Sequence, residues 1–338
     1  FMALEKARKE VAASLGARSA TEIVFTSGAT EANNLALRGI AGTAALKGGH
    51  IVTQATEHPA VLEPMRRLER EGFELTIVGV DRWGRVDPKA VTAVLRDDTV
   101  LISLMLANNE TGVVQPVSEV AAAARRRGIP THCDAAQAMG KIPVEVEALG
   151  VDLLSISGHK VYGPKGVGAL YVRRKTPPQR LEALIEGGGH EAGLRSGTAN
   201  VPGAVGLACA LKLASDDLVA EAERVGGLRD AFEQMLRDEG LKIVVNGEDA
   251  GRLPGTSNVA FPGVDGEALM ASLPDLAVST GSACASVHPQ PSHVLRAMGL
   301  PDGLAAASLR VSFGRPSTMD HAEVAASRIS EEVKRLRR

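Results

Sequence analysis

From residue 21 to about residue 200 the chain alternates short β-branched runs with longer stretches of helical period, and few folds accommodate that rhythm. Runs at 22–26, 50–54, 74–80, 100–106, 130–133, 153–157 and 168–172 read as seven strands, with helices at 31–47, 60–71, 88–96 and 117–127 between most of them. Such alternation predicts a mainly parallel sheet covered by helices on both faces. The stretches "TVLISLML" and "VDLLSIS" are almost continuously apolar, as strands buried on both sides must be. Past residue 205 the order changes. A helix at 219–239 precedes strands "LKIVVN" and "TSNVAF", a helix at 266–272, a strand "LAVSTG", a helix at 292–298, a strand "LRVSFG" and a terminal helix from Met319. The expected class is α/β: a mainly parallel seven-stranded sheet sandwiched by helices over residues 1–205, then a smaller α+β domain over 206–338.

Composition narrows the function by exclusion. A net charge of −2 with 44% hydrophobic residues gives no bulk electrostatic reason to bind nucleic acid or a membrane surface. The basic runs Arg125–Arg127 and 334–338 lie in helical patterns and read as solvated faces. Three cysteines, Cys133, Cys209 and Cys284, show no CxxC spacing and no disulfide framework, which predicts a reducing, cytoplasmic setting. No apolar run reaches the length of a membrane span, and no signal-peptide pattern opens the chain. Residues 1–15 begin at once as an amphipathic helix without a cap, the pattern expected of a chain whose start lies further upstream.

In open parallel sheets, ligands bind beyond the carboxyl ends of the strands. Four polar clusters fall at such ends: "FTSGAT", "ANNE", "HCDAAQ" and "SISGHK". The turn in "TSGATEANN" exposes backbone N–H groups at a helix start, so it is either an anion cradle or an ordinary tight βα turn; its spacing is not that of a P-loop. Asp134, ending a buried strand, either meets a cation or caps a following helix. Its neighbours His132 and Cys133 do not make a metal pair, because adjacent strand residues face opposite sides. Lys160 follows a buried strand and a Ser-Gly-His turn; a lysine held in such a crevice is partly desolvated, which makes its free amine available. An amine, an anion cradle and a carboxylate together match the needs of pyridoxal 5'-phosphate.

The motifs "FTSGATEANNLAL", "TEHPAVL", "NNETGVVQP", "DAAQAMGKIPV", "SGHKVYGPKGVGALYVRR", "GGGHEAGLRSGT", "STGSACAS" and "LRVSFGR" run in order along the whole chain. With them the sequence resembles a cysteine desulfurase of the NifS/IscS type, in the class V aminotransferase family of fold-type I pyridoxal-phosphate enzymes. The resemblance implies that Lys160 bonds the cofactor and that Gly158 lets the turn pass close to it. It implies that Ser157, His159, Thr30 and the Ala29 backbone hold the phosphate, and that Thr198 reaches the phosphate in the partner of a homodimer. Asp134 resembles the partner of the ring nitrogen, Gln137 a donor to the ring hydroxyl, and His58 an imidazole that stacks on the ring and moves protons. Asn109 and Arg310 resemble the pair that holds the substrate carboxylate.

Cys284 would decide the reaction. It lies in a stretch of small residues with two prolines, 279–291, that has no helical or strand period. Free cysteines are usually buried, so one in such a loop stands out. The resemblance makes it the acceptor of sulfur from L-cysteine, leaving L-alanine and a persulfide for an acceptor protein such as an iron–sulfur scaffold. Cys133 and Cys209 read as strand and helix packing residues. The resemblance also implies a further strand and loop ahead of Phe1. The rival readings are another class V reaction, such as transamination or selenocysteine lysis, and a sulfur-relay subunit without turnover.

Overall fold

The computed structural model describes residues 2–44, 48–174, 180–280 and 291–338. These form two compact units. The first holds residues up to Gly79, Val86–Ala107 and Gln115–Leu218; the second holds Val80–Arg85, Asn108–Val114 and Val219–Arg338.

In the first unit the elements run α1 (Met2–Ser14), β1 (Ile23–Thr26), α2 (Ala29–Thr43), β2 (His50–Gln54), α3 (Pro59–Arg70), β3 (Glu74–Val78), α4 (Pro88–Ala93), β4 (Thr99–Met105), α5 (Val117–Arg126), β5 (Thr131–Asp134), α6 (Val146–Leu149), β6 (Leu153–Ser157), β7 (Gly168–Val172) and α7 (Val201–Asp216). The strands make one seven-stranded sheet in the order β1-β7-β6-β5-β4-β2-β3. All neighbours from β3 to β6 pair parallel, and β7 is antiparallel to both β6 and β1. β7 reverses because the 158–167 connection is a turn rather than a crossover helix. Since β1 is antiparallel to β7, it points the same way as β6. The carboxyl ends of β1, β2, β4, β5 and β6 therefore share one edge. Leu35, Leu37 and Ile40 of α2 and Val61 and Met65 of α3 bury against Ile51, Leu101, Leu153 and Leu170 of the sheet. The expected mainly parallel, helix-flanked sheet is the fold observed. The division expected at 205/206 falls inside α7, whose period is blurred by Gly203 and Gly206.

The second unit contains α8 (Leu218–Asp238), β8 (Val244–Val245), β9 (Thr256–Ala260), α9 (Gly266–Ala271), α10 (His293–Ala297), α11 (Asp302–Ala306), β10 (Ser308–Ser312) and α12 (Met319–Leu336). Its sheet is antiparallel, in the order β10-β9-β8. Phe232, Phe261, Leu269, Leu309, Ile329 and Val333 form its core. Two expected strands are corrected here. "LKIVVN" shortens to two residues. The described part of "LAVSTG" makes a single bridge, Ser279 to Arg310, because the Val278 N–H bonds back to the Leu276 carbonyl and turns the chain. Among the described residues no helix is long and apolar enough to cross a membrane.

Candidate active site

Asp134 ends β5 and is 6% exposed. Its Oδ1 accepts from the Ala136 N–H at 2.9 Å and its Oδ2 from Asn33 Nδ2, on α2, at 2.7 Å. No helix follows, so the carboxylate caps a turn instead. Burial raises its pKa above the ordinary aspartate value; the two N–H donors and the neighbouring His58 and Lys160 oppose the rise without cancelling it. Such a carboxylate favours a charge-assisted bond with a cationic N–H partner. Asn33 is itself fully buried, and its Oδ1 has no hydrogen-bond partner among the described residues. The sequence signal for Asn33 was there to be read: it is a polar residue on the helix face that carries Leu37 and Ile40.

His58 caps α3, with its Nδ1 accepting the Ala60 N–H at 3.0 Å. That bond leaves the proton of a neutral imidazole on Nε2. Just before it, Glu57 is fully buried, and its Oε1 accepts the Met105 N–H at 2.5 Å from the end of β4. Burial pushes the Glu57 carboxyl well up; the Met105 N–H opposes this, and the neighbouring Asp134 charge adds to it. Two carboxyls that close do not both ionise readily in a dry site. Glu57 was missed because one acid in a loop looks like any solvated acid.

Beyond β6, a short 3-10 turn spans Gly158–Val161. A Cβ on Gly158 would lie 2.9 Å from the Pro164 carbonyl, so only glycine lets the turn close. The turn buries Gly158 and Val161 and faces His159 and Lys160 outward. Lys160 is therefore exposed rather than partly desolvated, a correction to the expectation. Ser157 Oγ and His159 Nδ1 are 2.9 Å apart. Partial burial lowers the His159 pKa, and the Lys160 and Lys165 cations lower it further. Opposite, α2 starts at Ala29 after Gly28 with no side-chain cap, so the N–H groups of its first turn are available to an anion. Gly168 brings this turn close: a Cβ there would lie 2.7 Å from Gly28 Cα. Thr30 is exposed, and Gln137 is half-buried, its Oε1 accepting from Lys141 Nζ at 2.9 Å.

Thr198 is exposed in the segment 187–200, which two ion pairs tie down. Glu31, in the first turn of α2, accepts from the Ser27 N–H and from Arg195 Nε, at 2.8 and 2.9 Å. Glu191 accepts from Arg8 Nη1 and Nη2, each at 2.7 Å, and from the Phe25 N–H at 2.8 Å. That clamp holds Glu191 and Ala192 at φ 51° and 56°, a left-handed conformation that costs a non-glycine residue energy. Sequence reasoning missed both pairs, since their members lie far apart in the chain.

His132 and Cys133 are fully buried in the sheet. The His132 ring sits between the Ser103 and Ser155 hydroxyls at 2.8 and 2.9 Å, and burial pushes its pKa down to about 3. Cys209, expected as a packing residue, is exposed on α7.

Asn109 and Arg310 belong to the second unit. Arg310 Nη1 donates to the Asn109 carbonyl at 2.8 Å. Asn108 Oδ1 accepts the N–H groups of Glu110 and Thr111, at 2.8 and 3.0 Å, which fixes the turn that carries Asn109. Glu110 is 3% exposed. Burial raises its pKa; the Ser292 hydroxyl and the His293 and Arg310 charges oppose the rise. Cys284 lies outside the described residues.

The family model for class-V aminotransferases matches residues 2–324. The chain belongs to that family. Within it, the chain is 54% identical over 335 residues to cysteine desulfurase IscS of Anaeromyxobacter dehalogenans (strain 2CP-C), covering 99% of this chain and 82% of that protein. A solved NifS-like protein superposes with a TM-score of 0.88 at 38% identity, covering 99% of this chain and 88% of the other. SspA, solved in complex with cysteine, gives a TM-score of 0.81 at 37% identity, covering 93% of this chain and 87% of that one.

Proposed function

We propose that this chain is a pyridoxal-phosphate-dependent cysteine desulfurase, which takes L-cysteine to L-alanine and retains the sulfur as a persulfide on Cys284. The observation that carries the reading is that His58, Asp134 and Lys160 come at or after the carboxyl ends of β2, β5 and β6, which share one edge of the sheet, in a chain 54% identical to an IscS enzyme. The residues fit the cofactor on their own chemistry. The uncapped start of α2 and the Ser157–His159 pair suit its phosphate, the buried Asp134 carboxyl suits its ring nitrogen, and the exposed Lys160 suits its aldehyde. Bound there, the cofactor withdraws electrons from the substrate Cα.

The chain's own groups do the rest. Asp134 would keep a proton on the ring nitrogen, and the Gln137 amide would donate to the ring hydroxyl. His58, with its proton on Nε2, would lie against the cofactor ring and relay protons, while the Lys160 amine would take the Cα proton. Asn109 and Arg310 orient the substrate carboxylate. Cys284 Sγ attacks the substrate sulfur: an S–S bond forms, the C–S bond breaks, and its electron pair stays on the carbon fragment, which takes up a proton to become alanine. No external oxidant or reductant is needed. The exposed, clamped Thr198 segment supports a homodimer in which Thr198 serves the partner's cofactor. Free Cys133 and Cys209 support a reducing, cytoplasmic setting, and a protein persulfide implies a sulfur-acceptor protein such as an iron–sulfur scaffold.

The test is an assay of alanine from cysteine, with selenocysteine as a competing substrate and pyruvate and glyoxylate as amino acceptors. Alanine formation that needs no amino acceptor supports the reading. Amino transfer to glyoxylate as the main reaction, or activity on selenocysteine alone, would overturn it.

A further inference from the structure

Among the residues that α2 buries, Asn33 alone carries a polar side chain. It is fully buried, and its Oδ1 meets no hydrogen-bond partner among the described residues. An apolar side chain there would avoid the cost of that orphaned acceptor. What the amide gives in return is one bond: its Nδ2 donates to Asp134 Oδ2 at 2.7 Å. The Ala136 N–H donates to the other oxygen at 2.9 Å. Both carboxyl oxygens are thus held, and the group has one orientation.

The direction of the bond matters as much as its place. An N–H donor favours a carboxylate over a carboxylic acid, and Asp134 needs that help. Burial raises its pKa, while the Ala136 and Asn33 donors, His58 and Lys160 act the other way. Fully buried Glu57 and Cys133 stand nearby and would repel it if they ionised. The helix that carries Asn33 also starts at the anion cradle: Ala29, its first residue, lies one turn earlier on the same face. One rigid element therefore joins the cradle to the carboxyl. We propose that Asn33 is a positioning residue for the cofactor: its amide holds Asp134 as an acceptor, in one orientation, for the protonated ring nitrogen. The inference rests on the pyridoxal-phosphate reading of the site.

The experiment strips the full chain of cofactor and titrates it with pyridoxal phosphate and with deazapyridoxal phosphate. The analogue has a ring C–H in place of the nitrogen, so it makes no use of an ionised acceptor. Asn33→Leu should bind pyridoxal phosphate about 10- to 100-fold more weakly, the scale of one bond to a charged group. It should bind the analogue as the parent does. In an Asp134→Asn background, Asn33→Leu should cause no such loss. A second signal needs no cofactor. The Asp134 carboxyl carbon, followed by NMR and identified by its absence in Asp134→Asn, should titrate at higher pH in Asn33→Leu. If Asn33→Leu does not fold, Asn33→Ala removes the same donor and carries the same expectations. Equal weakening for both compounds overturns the proposal, because Asn33 would then act on the cradle. So does a carboxyl that titrates as in the parent, or a full loss in the Asp134→Asn background. A parent chain that binds neither compound sinks the pyridoxal-phosphate reading and this inference with it. That failure shows in the parent, the others only in the variants.

Discussion

Asp134 and Glu110 are both buried carboxyls whose surroundings favour the protonated form, one in each compact unit, yet they are held for different purposes. Asp134 takes one backbone N–H and one amide N–H, neutral donors too weak to offset its burial. Glu110 takes the only hydrogen of a serine whose lone pairs are already used. The first carboxyl is placed to meet a charge, the second to complete a joint. Burial alone does not separate a chemical group from a structural one; the saturation of its partners does.

The largest effect tests the amine that acts on Asp134. Lys160→Ala should lose the borohydride-reducible absorbance band of the bound cofactor and all turnover. A band that survives and maps to Lys165 would move the site and break the comparison. Next, Asp134→Asn should keep the contact with Asn33 but lower turnover by about 100-fold or more, the scale of losing a preorganised electrostatic partner.

Stability should sharpen the contrast. Both carboxyls have folded pKa values raised above 3.8 and 4.5, so their ionisation opposes folding. The stability they contribute is present below those values and is lost as pH rises through the folded ones. The cofactor-free Asp134→Asn and Glu110→Gln chains should therefore melt about 2–4 °C above the parent at pH 8 for each kcal/mol relieved, and the gain should vanish below pH 4. Only the Asp134 variant should pay for that gain in turnover. His132 has the opposite sign. Its folded pKa is about 3 against 6.5, so stability falls as pH drops from 6.5 toward 3, by up to about 1.4 kcal/mol per pH unit. His132→Gln should flatten that slope in thermal melts. The smallest effects separate the two described cysteines. Cys133→Ser should cost about 1–3 kcal/mol by burying a hydroxyl, and exposed Cys209→Ser less than about 0.5 kcal/mol. Equal losses would mean that exposure misjudges one of them.

The strands and their ends were legible because continuous apolar runs mark strands buried on both faces, and a parallel sheet brings their ends to one edge. What the sequence did not disclose are bonds that depend on the completed fold. Asn33 meets Asp134 across 101 residues, and Ser292 meets Glu110 across 182. No local period reports either. Lys160 was misread for a related reason: neighbouring apolar residues implied burial, but a 3-10 turn faces it outward. "LAVSTG" has strand composition, yet its backbone turns at Val278 and keeps one bridge.

The central claim is that cysteine sulfur passes to a protein thiolate, and a single turnover without any acceptor tests it most directly. Holoenzyme mixed with excess L-cysteine should release one alanine per chain and carry one persulfide, on Cys284, then stop. Cys284→Ser should bind cysteine with the same absorbance change and release almost no alanine. Alanine formed by Cys284→Ser at the parent rate would contradict the account and require sulfur to leave without a protein persulfide.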